Sequence, residues 1–146
     1  MNVFEWGAGS STIWLAGRVA AVTSCENDER WLAALRERVA ANVRLIHEPR
    51  VETGDYARAP LALGERFQIV VIDGRDRNRC AASAVQILTD DGVIVWDNTE
   101  REEYRTGIEA VMQRGFRRID FEGLAPITPK LARTTILYRD GNCLGI

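Results

Sequence analysis

The sequence predicts an α/β protein in which a mostly parallel, doubly wound β-sheet of about seven strands is covered by helices on both faces. Short apolar segments alternate with helical periods along most of the 146 residues. Two of these segments, 67–72 and 93–96, are almost entirely apolar and β-branched, which is typical of strands buried on both faces. The last two predicted strands have no helical pattern between them, so we expect them to form an antiparallel pair at the edge of the sheet, with an antiparallel terminal strand.

The individual elements follow from their apolar patterns. Strands are predicted at 3–5, 19–25, 43–47, 67–72, 93–96, 116–121 and 134–139, and helices at 10–18, 28–42, 79–88 and 102–113. Residues 89–92 (Thr-Asp-Asp-Gly) are predicted to form a turn. Trp14 and Trp31 lie on these helices and are predicted to face the core. No linker or repeat divides the chain, so we predict a single domain over residues 1–146.

Composition excludes several classes of protein. Hydrophobic residues make up 46% of the chain and charged residues 27%, with a formal net charge of −2, so nothing favours a nucleic-acid partner. The three cysteines are widely spaced and form no CxxC pair, which argues against a disulfide framework or a zinc site and suits a reducing compartment. The sequence shows neither a signal peptide nor an apolar run long enough for a bilayer, so we expect a cytoplasmic protein with no membrane partner.

A glycine-containing turn follows the first predicted strand, in residues 5–12 (Glu-Trp-Gly-Ala-Gly-Ser-Ser-Thr). Gly7 and Gly9 suit a turn that uses unusual dihedral angles and that a ligand approaches closely. Thr12 stands where a dinucleotide-binding fingerprint has its third glycine, which counts against a diphosphate ligand. Glu5 suits a ligand ammonium group, and Glu26, at the end of the second strand, can accept hydrogen bonds from ribose hydroxyls.

Acidic and amide side chains also end the two central strands. Asp73 follows the strand at 67–72, and Asp97 and Asn98 follow the strand at 93–96. Because the carboxyl ends of parallel strands line one crevice, these three side chains can converge. Their oxygens suit Mg²⁺ or another divalent cation. The alternative is that Asp97 and Asn98 cap the next helix while Asp73 hydrogen-bonds within its loop.

In order and register, these motifs resemble those of the class I S-adenosylmethionine-dependent methyltransferases. The family's acidic-x-Gly-x-Gly-x-Gly motif is matched by residues 5–11, with Ser11 in place of the last glycine. Its ribose-binding acid is matched by Glu26, followed by Asn27, and its adenine-side acid by Asp55 in the pair Gly54-Asp55, followed by Tyr56. Residues 69–74 match its fourth-strand motif, which ends in Asp73.

The resemblance implies a Rossmann-like fold, S-adenosylmethionine as cofactor and methyl transfer to a small-molecule acceptor. It assigns cofactor binding to Glu5, Gly7, Gly9, Ser11, Glu26, Asn27, Asp55, Tyr56 and Asp73. Asp73, Asp97 and Asn98 resemble the metal ligands of the catechol-type O-methyltransferase branch, which would make them catalytic residues and oxygen the accepting atom. That branch has a lysine base three residues after the first aspartate, and Asp76 stands there instead.

Two other functions remain open at this stage. One is a non-catalytic domain that binds S-adenosylmethionine or a protein partner. The other is a nicotinamide-dependent oxidoreductase, which Thr12 and the terminal strands disfavour. The family also has cap helices before its first strand, whereas four residues precede Glu5 here. We therefore expect these helices to be absent, either because the chain is N-terminally truncated or because a partner subunit replaces them, and a homodimer remains open.

Overall fold

The computed structural model describes residues 1–49, 55–125 and 129–146. Its seven strands are β1 (Asn2–Trp6), β2 (Ala21–Glu26), β3 (Val43–His47), β4 (Phe67–Ile72), β5 (Leu88–Asp97), β6 (Arg117–Leu124) and β7 (Leu131–Tyr138). They form one sheet in the order β3-β2-β1-β4-β5-β7-β6. Strands β1 to β5 are parallel, and β7 lies antiparallel between β5 and β6. The predicted mostly parallel sheet with an antiparallel terminal strand is confirmed.

Five α-helices connect or flank these strands. They are α1 (Ser10–Ala16), α2 (Glu29–Arg36), α3 (Asp55–Arg58), α4 (Arg77–Ile87) and α5 (Arg105–Met112), with short 3₁₀ helices at Ala59–Leu63 and Glu102–Tyr104. Within the described ranges, no helix has the length and apolar run needed to cross a bilayer.

Helices cover both faces of the sheet because successive strand side chains point to opposite sides. Phe4 and Trp6 join the larger core cluster, in which β4 and β5 pack against α3, α4 and α5. Val3 points the other way and joins a second cluster with Val22, Val71 and residues of α1. The side chains of β1 therefore place apolar residues on both faces of the sheet, and helices must cover both faces to bury them.

Three local predictions were wrong. Residues 89–92 belong to β5 rather than to a turn, and the pairing register with β4 shifts between Phe67 and Ile69. The second helix ends at Arg36, well before residue 42. Trp14 and Trp31 are 57% and 49% exposed. In α2 the core contact is made by Leu32 and Leu35, and the residue before Leu32 is rotated about 100° away from that face.

Candidate functional site

A crevice of about 610 Å³ opens at the carboxyl edge of the sheet, above β1, β2 and β4. Its volume is in the range of small-molecule sites, which is roughly 300–1,000 Å³. The turn after β1, the end of β2, the first turn of α2 and the segment after β4 form its wall, which consists of residues 7–11, 26–28, 31, 73–75 and 77. The structure thus brings together most of the predicted ligand-binding residues.

Gly7 is required at the floor of this crevice by its backbone conformation and by its neighbours. Its φ is +93°, which side-chain-bearing residues rarely adopt. A Cβ at Gly7 would lie 2.9 Å from the carbonyl carbon of Asp73 and from the amide nitrogen of Gly74. Gly9 is different, because its φ of −177° is ordinary extended backbone and its Cβ would meet the Trp31 ring at 4.0 Å.

Glu5 lies beneath the glycine turn and is fully buried. Its Oε1 accepts a hydrogen bond from Ser11 Oγ, and its Oε2 accepts from Thr12 Oγ1 at 2.5 Å and Ser24 Oγ at 2.8 Å. Burial raises the pKa of this carboxyl, and the three hydroxyls oppose that shift. The expected contact between Glu5 and a ligand ammonium group is therefore corrected: the carboxylate joins β1, α1 and β2 and has no exposed surface.

The hydrogen bonds from hydroxyl groups to Glu5 also explain the roles of Thr12 and Ser11. Thr12 Oγ1 accepts the Gly9 N–H at 2.8 Å while donating to Glu5, so a threonine here holds the turn that a third glycine would leave open. Ser11 lines the crevice, but its hydroxyl donates to Glu5. A ligand contact from Ser11 would therefore come from its backbone rather than its side chain.

Glu26 is held at the crevice wall by backbone donors. Its Oε1 accepts the N–H groups of Asn27 at 2.7 Å and Asp28 at 2.9 Å. Asp28 in turn caps α2 by accepting the N–H of Trp31 at 3.0 Å. These bonds orient the Glu26 carboxylate before any ligand binds, and Asn27 lines the same wall.

Trp31 was missed as a site residue by the sequence reasoning. Its indole Nε1 donates to the carbonyl oxygen of Ala8 at 2.7 Å, which links α2 to the glycine turn, and its half-exposed ring lines the crevice. The usable signal was its position in the first turn of the helix that follows Glu26, since that turn faces the carboxyl edge of the sheet.

The predicted adenine-side residues lie elsewhere. Tyr56 is fully buried in the main core, and a Cβ at Gly74 would collide with its hydroxyl. Its expected place beside the adenine is corrected, because the ring has no surface facing the crevice. Asp55 is exposed at the start of α3 and lines a separate groove that includes Arg44 and Arg58. Gly54 lies outside the described residues.

Asp73 and Asp97 meet at the carboxyl ends of β4 and β5, as predicted, and Arg77 contacts both carboxylates. Arg77 Nη2 is 2.9 Å from Asp73 Oδ1, and Arg77 Nη1 is 3.9 Å from Asp97 Oδ2. Burial raises the pKa of Asp73 to about 6; Arg77 opposes this shift, and Asp97 adds to it. Asp97 Oδ1 also accepts from Thr134 Oγ1 at 2.7 Å.

The expected metal site does not fit this arrangement. Asn98 follows with a φ of +57°, and its carbonyl accepts the Arg101 N–H at 3.2 Å in a turn. The positive charge beside Asp73 and Asp97 is the Arg77 guanidinium, which occupies the position that a divalent ion would need.

A second cavity of about 440 Å³ adjoins the crevice and shares Gly74, Arg75 and Arg77 with it. Tyr104 forms part of its wall, with the guanidinium carbons of Arg77 and Arg101 at 5.4 and 6.0 Å from the ring centroid. The carboxyl edge therefore offers two adjoining spaces, one beside the glycine turn and Asp73 and one beside Arg101 and Tyr104.

No family model and no curated protein matches the sequence. Solved structures do match its fold. The O-methyltransferase TomG from Streptomyces achromogenes, solved with S-adenosylmethionine, has a TM-score of 0.74 at 19% identity, over 94% of this chain and 73% of TomG. Precorrin-6y C5,15-methyltransferase from Geobacter metallireducens has a TM-score of 0.69 at 16% identity, over 95% and 80%.

The N-methyltransferase NodS from Bradyrhizobium japonicum, solved with S-adenosylhomocysteine, has a TM-score of 0.68 at 13% identity, over 95% of this chain and 78% of NodS. These proteins methylate different kinds of atom by their names, and their low identities make the likeness one of fold. The strand order, the antiparallel β7 and these neighbours agree: the chain has the fold of the class I S-adenosylmethionine-dependent methyltransferases.

Proposed function

We propose that this chain is an S-adenosylmethionine-dependent methyltransferase that acts on a small-molecule acceptor through an oxygen atom. The observation that carries the proposal is the crevice at the carboxyl edge, where the glycine turn and a carboxylate oriented by backbone donors face the same space. TomG and NodS, which share the fold, were solved with S-adenosylmethionine and S-adenosylhomocysteine. This supports a ligand of the same class in this crevice.

Different residues of the crevice bind different parts of the cofactor. Glu26 accepts hydrogen bonds from the ribose hydroxyls through Oε2, since Oε1 is engaged by the backbone. Gly7 and Gly9 let the methionyl portion approach the backbone, and Asp73 attracts its ammonium group. The exposed Trp31 ring supplies an apolar wall. Glu5 acts indirectly, by holding the turn in place.

We place the acceptor in the adjoining cavity, which borders the crevice at Gly74, Arg75 and Arg77. When bound, S-adenosylmethionine supplies a methyl carbon on a positively charged sulfur; a bond from the acceptor oxygen forms as the carbon–sulfur bond breaks, and its electron pair stays on sulfur. The chain's task is to align the two partners and to accept the acceptor's proton. We assign the role of proton acceptor to Asp73, which lines the neighbouring crevice, and to Asp97 beside it.

Ligand titration tests the cofactor assignment. We expect S-adenosylhomocysteine to bind in isothermal titration and NADH not to bind; the opposite preference would reject the proposal. Glu26→Gln preserves an oxygen for the backbone N–H groups but presents an amide to the ribose. It should weaken S-adenosylhomocysteine binding by about three- to tenfold. Asp55→Asn, outside the crevice, is the matched control and should bind normally.

Turnover separates the enzyme from a binding domain. A panel of phenols, alcohols, amines and carboxylic acids is incubated with S-adenosylmethionine, and S-adenosylhomocysteine release is measured. Release that depends on a hydroxyl-bearing acceptor supports oxygen methylation, and release with amines alone would reject that part. Cofactor binding without release on any acceptor would favour the non-catalytic alternative.

A further inference from the structure

Arg77 is the first residue of α4, and its side chain is 8% exposed. Its Nε donates to the Gly74 carbonyl at 2.9 Å, and its Nη2 donates to both the carbonyl and the carboxylate of Asp73, at 2.8 and 2.9 Å. Its Nη1 donates to the Asp97 carbonyl. The guanidinium is thus enclosed by three carbonyl oxygens and two carboxylates.

The local backbone directs Arg77 into this position. Asp76 has a φ of +49°, so the chain turns sharply between the end of β4 and the start of α4. This turn sends the Arg77 side chain back under the strand ends, and the Tyr104 ring lies 5.4 Å from the guanidinium carbon. Arg77 is therefore an internal part of the site, unlike the exposed Arg75 beside it.

The oxygens around Arg77 are of the kind that a divalent ion prefers. Carboxylates and carbonyl oxygens are the usual ligands of Mg²⁺ and Ca²⁺. Here they already surround a guanidinium, which carries a positive charge. A divalent ion bound by Asp73 and Asp97 would lie against this buried positive charge, where like charges repel more strongly than in water.

We propose that Arg77 takes the place of a metal ion at this site: it is a built-in cation that holds Asp73 and Asp97 together. Asp73 and Asp97 bind a divalent cation only when Arg77 is removed. Arg77 is then a positioning residue for the two carboxylates. The inference concerns ion binding, so it holds whichever acceptor the crevice serves and does not depend on the proposed methyl transfer.

Mn²⁺ titration followed by electron paramagnetic resonance tests the proposal without cofactor or acceptor. Wild-type protein should bind Mn²⁺ more weakly than about 1 mM, the weak end of protein sites. Arg77→Met should bind at least about tenfold more tightly, and adding Asp73→Asn to it should abolish the gain. Arg77→Lys retains the charge and should show no gain. Arg75→Met, which removes a charge from the same segment, is the matched control and should also behave as wild type.

Two results would overturn the proposal. One is a folded Arg77→Met protein with wild-type Mn²⁺ affinity. The other is tight Mn²⁺ binding by the wild type that Asp73→Asn removes. Arg77→Met can fail to fold, because it leaves three carbonyls without their donor. If Arg77→Met does not fold, the melting temperature of the wild type is compared with and without Mg²⁺. An unchanged melting temperature supports the proposal, and a rise that Asp73→Asn abolishes rejects it.

Discussion

Replacing Gly7 with alanine tests whether the glycine turn packs on β4 as described. The new Cβ would lie 2.9 Å from two backbone atoms, the Asp73 carbonyl carbon and the Gly74 nitrogen. Backbone atoms cannot rotate away as a side chain can, so β1 or the end of β4 must move. The φ of +93° adds strain that is independent of this contact.

The magnitude follows from these two effects. A residue held in a sparsely populated backbone region costs about 1–3 kcal/mol, and forcing an extra methyl group into a packed site costs about 1–3 kcal/mol. The free energy of unfolding should therefore fall by about 2–6 kcal/mol, out of about 5–15 kcal/mol for a typical domain. For a chain of this size, each kcal/mol lowers the melting temperature by about 2–4 °C, so we expect a drop of roughly 4–24 °C.

Gly9→Ala is the matched control, two residues further along the same turn. Its φ is that of extended backbone, and its Cβ would meet the Trp31 ring at an ordinary 4.0 Å. Loss of glycine at the N-cap should cost less than about 1 kcal/mol. Thermal unfolding followed by circular dichroism measures both variants. Equal melting temperatures for Gly7→Ala and Gly9→Ala would refute the packing argument.

The remaining predictions concern the crevice and the thiols. Trp31→Ala should weaken S-adenosylhomocysteine binding about three- to tenfold in isothermal titration, because a ring of the crevice wall is lost. Trp14→Ala removes an equally exposed tryptophan away from the crevice, and an equal loss there would contradict the assignment. Burial raises the pKa of Cys25 to about 12 and raises the pKa of Cys80 and Cys143 as well, so at pH 8 all three thiols stay protonated. In a thiol-reagent assay, the folded protein should react slowly and at the half-buried Cys143 alone. The unfolded protein should react at all three cysteines. Rapid reaction of two or more thiols in the folded protein would show that the core is looser than described.

Much of the fold could be predicted because it depends on local pattern. The apolar run at 67–72 coincides with β4, and the lack of a helical pattern before the last strand correctly indicated an antiparallel partner. Helix length could not be predicted in the same way. The pattern Trp31-Leu35-Val39 favoured a long helix, but α2 ends at Arg36. Val39 packs against the same apolar cluster from beyond the end of the helix, so apolar spacing identified the packing residues without fixing the helix length.

The site shows the same division. Gly7, Glu26, Asp73 and Asp97 end successive parallel strands, and strand ends in a parallel sheet share one edge, so their convergence could be predicted from position alone. Side-chain direction could not. Glu5 and Tyr56 were both expected in the crevice, but their side chains are buried in the interior.

The sequence by itself therefore determined the architecture of this protein and the edge at which its ligand site lies. Only the tertiary structure decided which side chains face that site and which support it. The physical reason is that the positions of the strands and of their ends follow from the local pattern of apolar residues, whereas the partner of a buried charge depends on elements far apart in the chain. Glu5 accepts a hydrogen bond from Ser24 on the neighbouring strand, so its carboxylate supports the turn instead of contacting a ligand. Arg77 donates to the carbonyl of Asp97, so its guanidinium supplies the positive charge beside the two aspartates.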